Sequence, residues 1–547
     1  MGRGKGRPDM RYSRFGIATV SIWLFGSYLV ARAEAQRDPV SLLVPKPVRV
    51  VRSDGFCRVS QSTTVGHGRG ASVAAALLKD SIREITSGAS PGKNGRRAPG
   101  VVVRLNRSLS DKGAESYRLT VRPDGVTLEA PDPRGLANGV HTVCQLLLAS
   151  QQAEGRQEAT EWRLPCLTIE DHPRFPWRGL MLDCSRTFQS PDYIRRTLDR
   201  MSLYKLNVLH LHLTDDQGWR LAIRKYPSLT AKGARFPGKY AEPAAHEGFY
   251  SQAEMRGLIS YAAARNVAIV PEIEMPGHAL AALSCFPELA CSGGPFEIYP
   301  FFKGPNITKD IFCAGNDRTF EFIGGVLAEV AALFPSEFVH VGGDEAPKDA
   351  WRNCPKCRAR IQSEGLKDEH ELQRWFMQRV ERTLRKHGKR LIGWDEILEG
   401  GLAPGAAVMS WRGTSGGIAA ANAGHDVVMA PTSHCYFDYT YEKIDSKRAY
   451  SFEPVPAELP AERVRHVFGL QANFWSHIDR EPEKVDYQLF PRLLAIAERG
   501  WSPKDAVDWT DFSRRLRHQL VHLERFGIRY NLGDIPVETP APVSPER

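Results

Sequence analysis

The 547-residue sequence predicts an α/β protein, a (β/α)8 TIM barrel preceded by a small α/β domain. Three features of the sequence point there. Short apolar runs recur eight times after residue 172, most are followed by a helical stretch, and polar or aromatic residues gather just behind each run. Near-continuous apolar strands alternating with helices are the pattern of parallel strands covered by helices. Eight such units in about 330 residues fit a closed barrel with insertions. An open doubly wound sheet would alternate too, but the glycine-rich phosphate turn usual after its first strand is missing.

The eight runs are 179–184, 206–213, 267–273, 338–341, 390–393, 407–410, 426–430 and 467–472. Helix start signals stand between them. Ser190-Pro191 supplies an N-cap with proline in the first turn, and Ser251-Gln252-Ala253-Glu254 is a capping box. Upstream, 101–105, 117–121 and 125–130 are strand-like, the last two joined by the hairpin turn Arg122-Pro123-Asp124-Gly125. An apolar-faced helix follows over 133–148. This first domain carries no triad, metal cluster or phosphate loop, so packing against the barrel is its expected role.

Before it, residues 1–14 hold Arg3, Lys5, Arg7, Arg11 and Arg14, followed by an apolar run over 15–30 and then Ala31-Arg32-Ala33-Glu34-Ala35. A basic start, a short apolar stretch and two A-x-A exits predict a signal peptide. The run is shorter than the roughly 20 residues of a spanning helix, which favours cleavage over an uncleaved anchor. The expected organisation is therefore a signal peptide over 1–35, the α/β domain over 36–171, and the barrel with a C-terminal helical segment over 172–547. The mature chain is expected to be secreted or periplasmic, with no stable membrane insertion.

Formal charge is +10, and residues 1–35 account for +4 of it. The remaining basic residues are interleaved with acids, and no basic helix or RNA-type motif appears, so nucleic acid is not an expected partner. The ten cysteines suit an exported protein. Cys354-Pro355-Lys356-Cys357 invites a zinc reading, but a structural site would want a second such pair and the sequence has none. A disulfide or two packed thiols is expected there, and Cys291 with Cys313 is a candidate for closing another loop.

The chemistry gathers behind the runs. There stand Asp183 and Arg186; His212, Asp215 and Asp216; Glu274 and His278; Asp344 and Glu345; Trp394 and Asp395; Trp411 and Arg412; His434, Tyr436 and Asp438; Trp475 and His477. Strand C-termini of a barrel share one face, where barrel enzymes work. Carboxylates and arginine match hydroxyl groups, and tryptophan faces cover the apolar faces of sugar rings, so the face predicts a carbohydrate ligand. A metal at His210, His212, Asp215 and Asp216 is the rival, but no HExxH-like spacing supports it; neither metal nor cofactor is expected. Asp344 and Glu345 follow Gly342-Gly343, which permit a sharp turn at the strand end. Adjacent carboxyls cannot flank a scissile bond from opposite sides, as an ordinary glycosidase requires. They should do different jobs, with Glu345 the proton donor, its pKa raised by the Asp344 charge.

At this point the sequence resembles glycoside hydrolase family 20, the β-N-acetylhexosaminidases. The resemblance is carried by Leu182-Asp183-Cys184-Ser185-Arg186, by the stretch His212-Leu213-Thr214-Asp215-Asp216-Gln217-Gly218-Trp219-Arg220, and by Pro271-Glu272-Ile273-Glu274-Met275-Pro276-Gly277-His278. His340-Val341-Gly342-Gly343-Asp344-Glu345, Gly393-Trp394-Asp395-Glu396, Ser410-Trp411-Arg412-Gly413 and Gln471-Ala472-Asn473-Phe474-Trp475 follow in order. The first domain also looks like the one these enzymes carry.

The resemblance implies substrate-assisted retention, in which the substrate's 2-acetamido oxygen attacks its own anomeric carbon. It implies that Asp344 orients the acetamido nitrogen, that Glu345 protonates the leaving group and then activates water, and that Tyr436 bonds the acetamido oxygen with Asp438 nearby. Trp394, Trp411 and Trp475 would wall the pocket. Arg186, held by Asp215, would bind ring hydroxyls, and His278 would support the acid pair. Exo cleavage of terminal N-acetylhexosamine from glycans or chitooligosaccharides is the leading expectation, with disaccharide release, endo cleavage or a non-catalytic binder as alternatives. One departure stands out: where the family commonly has Trp-x-Glu, binding the 4- and 6-hydroxyls, this chain has Trp475-Ser476-His477. A tryptophan that many relatives place over the sugar is also missing between 440 and 452, leaving Tyr441 or Tyr450 as candidates.

Overall fold

The computed structural model of the protein describes residues 38–87, 100–153, 162–305, 307–533 and 535. The expected signal peptide lies outside them. No helix among the described residues is long and apolar enough to cross a membrane.

The first domain is a six-stranded mixed sheet made of β1 (Arg49–Val59), β2 (Val65–His67), β3 (Gly100–Leu105), β4 (Tyr117–Arg122), β5 (Gly125–Ala130) and β6 (Trp162–Asp171), in the order β1-β6-β4-β5-β3-β2. The expected hairpin is present: β4 and β5 pair antiparallel up to Arg122 opposite Gly125. The helix Pro133–Ala153 lies across the sheet, and its Leu136, Val140 and Leu147 are buried. It outlasts the expected segment by five residues because the chain beyond 148 still makes helical turns.

Eight parallel strands close the barrel: β7 (Trp177–Asp183), β8 (Val208–His212), β11 (Ala268–Glu272), β12 (Phe338–His340), β13 (Arg390–Trp394), β14 (Ala407–Ser410), β15 (Val427–Met429) and β16 (Val467–Phe474). Each falls within or overlaps one of the eight apolar runs. The circle is completed by β16 against β7, with Ala472 opposite Leu180. Two short strands, β9 (Thr214–Asp215) and β10 (Gly218–Trp219), form a hairpin above β8. Trp177, Val208, Val270, Phe338, Ile392, Met409 and Val428 fill the barrel's lower interior, so it is a packed core and not a pore. Both predicted helix starts are capped as expected: Ser190 Oγ accepts from Tyr193 N, and Ser251 and Glu254 form a complete capping box.

The two sheets meet through a buried polar joint. Lys205 Nζ donates to Asp171 Oδ2 at 3.0 Å and to the Tyr117 hydroxyl at 3.1 Å, while Trp501 Nε1 donates to Asp171 Oδ1 at 2.9 Å. A buried ammonium is tolerable only when paired in this way. Removing Asp171 would strand Lys205.

Of the two expectations for Cys354 and Cys357, the packed thiols hold and the disulfide does not, and Cys291 and Cys313 close no disulfide loop. All ten are free thiols. Cys354 and Cys357, at the start of the helix Pro355–Ser363, sit against Cys291 and Cys313 from the loop after β11. Sequence spacing hid this second pair, since its members lie 22 residues apart and meet only through the packing of two loops.

Candidate active site

The strand ends surround a cavity of about 410 Å³ on the C-terminal face of the barrel. The eleven residues expected to bind or act on substrate all line it: Arg186, Asp215, His278, Asp344, Glu345, Trp394, Trp411, Tyr436, Asp438, Trp475 and His477. Of the other residues behind the runs Glu274 lines it too, while Asp183, His212, Asp216, Asp395, Arg412 and His434 do not. Phe301, Ile307 and Tyr439 line it as well, and no sequence signal had marked them. They sit in loops without strand periodicity.

Beneath the cavity is a closed polar layer. Glu272, at the end of β11, is fully buried. Ring nitrogens of His210, His212 and His340 approach its carboxylate at 3.0, 2.5 and 2.7 Å, and Trp394 Nε1 donates to it at 2.9 Å. Burial would raise its pKa, but the three histidines hold it well below the ordinary carboxylate range. The histidines that suggested a metal are occupied by this carboxylate. Trp394 is thereby oriented from below.

One side is built from β7 and β8. Asp183 accepts from the backbone N–H groups of Ser185 and Arg186 at 2.9 and 3.0 Å, which turns the chain and aims Arg186 inward. Arg186 Nη2 meets Asp215 Oδ2 at 2.8 Å, and its guanidinium lies over Trp475, 4.8 Å from the ring centroid. Burial would lift Asp215, yet Arg186 and His278 hold it well below the usual carboxylate value. Asp216 is fully buried beside it and accepts from Leu280 N and Thr308 Oγ1, both at 3.1 Å, fastening the long loop that carries Phe301 and Ile307.

The acid pair stands at the end of β12. Gly342 and Gly343 have φ of +66° and +94°. A Cβ at Gly342 would lie 1.5 Å from Glu274 Oε2, so glycine is required there. Glu345 itself is held at φ +44° and His278 at +47°, uncommon for residues with side chains. His278 bridges four carboxylates: Nδ1 is 3.1 Å from Asp215 Oδ1 and 3.6 Å from Asp216 Oδ2, and Nε2 is 3.5 Å from Glu345 Oε2 and 3.7 Å from Asp344 Oδ2. Burial opposes a charge on this ring, but Asp215 and the other carboxylates raise it well above the ordinary histidine value, so it is an imidazolium.

That imidazolium reverses one expectation. Glu345, whose side chain is 37% exposed, has its pKa lowered by the hydrogen bond from His278. Asp344 is the raised member, at about 6, because it is buried and its Oδ1 has no partner. Adjacent charges push both carboxyls up, but burial and the imidazolium decide which one rises.

The far wall comes from β13 to β16. Trp411 stacks near Tyr436 with centroids 6.1 Å apart, and its Nε1 donates to Glu396 Oε2 at 2.8 Å. Burial lifts Glu396 to about 8 and Asp438 to about 7. Tyr436 is buried and its phenol is raised well above 10, so it remains a hydroxyl donor. His477 packs on Phe301 at 4.7 Å; burial and then Arg186 lower its pKa to about 4, so it is a neutral ring near pH 7. Its Nδ1 is buried without a partner. Neither candidate for the missing tryptophan reaches the cavity. Tyr441 donates to the carbonyl of Phe490, and Tyr450 stacks on Phe512 at 4.3 Å. Phe301 and Tyr439 supply the extra aromatic surface instead.

Strand ends that converge on carboxyls, an arginine and three indoles, with no phosphate cradle among the described residues, form a site of the class that binds sugars. Comparison with known proteins makes the family specific. Residues 175–504 match the model described as "Glycosyl hydrolase family 20, catalytic domain" and residues 41–172 match "Glycosyl hydrolase family 20, domain 2". The chain belongs to glycoside hydrolase family 20. It is 42% identical over 511 residues to a beta-hexosaminidase of Porphyromonas gingivalis, covering 90% of this chain and 64% of that one, so it spans about two thirds of that relative's length. A beta-hexosaminidase of Vibrio furnissii is 33% identical, with 84% and 77% covered. Among solved structures, the family 20 β-N-acetylhexosaminidase of Streptomyces coelicolor is similar at TM-score 0.78 and 32% identity, covering 92% of this chain and 99% of that one. The exo β-N-acetylglucosaminidase of Vibrio harveyi, in complex with N-acetylglucosamine, is similar at TM-score 0.79 and 31% identity, covering 90% and 78%.

Proposed function

We propose that the protein is an exo-acting, retaining β-N-acetylhexosaminidase that removes terminal β-linked N-acetylglucosamine or N-acetylgalactosamine through the substrate's own acetamido group. The observation that carries this reading is the state of the carboxyls around the cavity. Apart from the acid pair, Asp215 is neutralised by Arg186 and His278, while burial holds Glu274 and Asp438 towards protonation. Asp344 and Glu345 leave from one strand end, so neither can stand across the sugar from the other. A protein nucleophile on the opposite face is therefore lacking among these groups, and the acetamido oxygen is the group that fills the role.

The proposed division of labour follows from the same geometry. Asp344, ionised above about pH 6 and with Oδ1 unpartnered, accepts the acetamido N–H and offsets the positive charge developing on nitrogen. Tyr436 donates to the acetamido oxygen and aims it at the anomeric carbon. Glu345 begins with a lowered pKa in the open site. A bound sugar covers it, and loss of water raises its proton affinity while the His278 imidazolium stands 3.5 Å away. Glu345 then protonates the departing oxygen and next takes a proton from the water that opens the oxazolinium ring. Trp394, Trp411 and Trp475 enclose the acetamido group and sugar face, and Arg186, Asp438 and His477 face the remaining hydroxyls. The neutral ring of His477 can both donate and accept, and so can serve either epimer at C4.

Purified full-length protein should release monosaccharide from aryl β-GlcNAc, aryl β-GalNAc and chitooligosaccharides, and a thiazoline mimic of the oxazolinium should inhibit competitively. Disaccharide or internal products would overturn exo action, and indifference to the thiazoline would overturn the acetamido mechanism. Export is part of the reading, supported by the basic, apolar and small-residue segments of 1–35. The mature N-terminus should begin near residue 36; recovery of intact Met1 from the exported protein would refute cleavage.

A further inference from the structure

Cys291, Cys313, Cys354 and Cys357 form a cluster apart from the catalytic residues, and nothing in the proposed mechanism uses them. Their four sulfur atoms all lie within 4.8 Å of one another. Three of the separations are 3.7 Å (Cys291–Cys357), 3.8 Å (Cys313–Cys354) and 3.6 Å (Cys313–Cys357). A tetrahedral zinc ion with Zn–S bonds of about 2.3 Å places its sulfurs about 3.8 Å apart. A disulfide needs one chosen partner at about 2.05 Å, whereas Cys313 has two neighbours at nearly equal distance. Cys313, Cys354 and Cys357 are buried and Cys291 is half-buried, as a closed structural site requires. Cys354 and Cys357 also have the C-x2-C spacing that presents two thiolates from one helix start.

We propose that these four cysteines bind one structural zinc ion as thiolates, releasing their protons, and that the ion clamps the loop after β11 to the loop after β12. The position gives the clamp a purpose. The first loop carries His278, Phe301 and Ile307, and the second begins at Asp344-Glu345. Around the cluster the first loop is folded on itself, Cys313 N donating to Leu289 O at 2.8 Å and Phe312 N to Pro276 O at 2.9 Å, and the second loop is tied to it by Trp351 Nε1, which donates to Phe312 O at 2.9 Å. At Gly315 a Cβ would come within 2.2 Å of the Lys356 backbone, so the loops meet where only glycine fits. The zinc would be a positioning device for Glu345 and His278, without contact with substrate.

Elemental analysis of the full chain, purified without chelator, should find one zinc per molecule. Cobalt(II) replacement should give intense sulfur-to-cobalt charge-transfer absorption together with tetrahedral d–d bands. Cys291→Ser, at the least buried ligand, should lower zinc affinity at least tenfold, whereas Cys435→Ser, outside the cluster, should keep a full equivalent. Removing zinc should lower Tm by about 5 °C or more, and re-addition should restore it. Mass mapping under non-reducing conditions supplies the opposing result. Two disulfides among these four cysteines, iron in place of zinc, or metal-free protein with four titratable thiols would each overturn the proposal, and none requires a variant to fold.

Discussion

Two layers of carboxyl groups lie one above the other in this barrel, and they are treated in opposite ways. In the lower layer Glu272 meets three imidazoles and an indole N–H, and it is held ionised. In the upper layer Glu274 has both oxygens unpartnered, Asp344 has one, and burial raises both groups. Side chains of the same chemistry, a few residues apart, serve as anchor below and as reactive surface above. The Glu272 carboxylate of the lower layer is satisfied by protein and gains nothing from a ligand. The upper layer holds polar atoms out of water with no partner, a cost that a substrate amide can offset. A pocket of this kind is less stable than it would be if its residues were chosen for folding alone.

The largest expected effect breaks the upper layer. Glu345→Gln should lower kcat/KM by about a thousandfold, roughly 4 kcal/mol, on substrates with poor leaving groups. Aryl glycosides with good leaving groups should suffer far less, and equal losses on the two would remove Glu345 from the acid role. Next, Glu272→Gln should cost about 3 kcal/mol in denaturant unfolding, because a buried pairing centre loses its charge while its histidines remain. Unchanged stability would show that the lower layer is not an anchor.

A smaller effect of the opposite sign is expected at Asp344. Its pKa is raised to about 6 from an ordinary 3.8, so the folded protein binds this proton more tightly than the unfolded chain does. Its stabilising contribution is therefore complete below about pH 3.8 and is lost as pH rises through about 6. Asp344→Asn carries no such loss and should be about 2 kcal/mol more stable than the native protein at pH 7.5, although nearly inactive. The native activity should also fall as pH drops below about 6, when the carboxylate that accepts the amide is neutralised. A variant no more stable than the native chain would contradict the raised value. The smallest effect concerns the edge of the pocket. His477→Glu should change the ratio of kcat/KM for β-GlcNAc and β-GalNAc several-fold, about 1 kcal/mol, with little change in Tm. An unaltered ratio would mean that residue 477 does not read C4.

The barrel was legible because each of its strands is buried on both faces and is spelled as an apolar run, and because its loops start where those runs stop. Most of the eleven site residues were legible for the same reason: Arg186, Asp344, Glu345, Trp394, Trp411 and Trp475 stand within a few residues of strand ends, whereas His278, Tyr436 and Asp438 lie further along their loops and were marked by the motifs. Phe301, Ile307 and Tyr439 were not, since they reach the cavity from long loops whose course depends on anchors such as Asp216 and Thr308.

The amino-acid sequence by itself determined the architecture, the place of the site and the unusual adjacency of its two acids, all of which depend on neighbours along the chain. Only the tertiary structure decided which of the two acids is raised, since that turns on the depth of Asp344 and on an imidazolium contributed by a different loop. It alone brought Cys291 and Cys313 to Cys354 and Cys357 across two loops. Proton affinity and cluster geometry fall off within a few ångströms of their causes, and distances of that kind are set by packing between segments that the sequence keeps far apart.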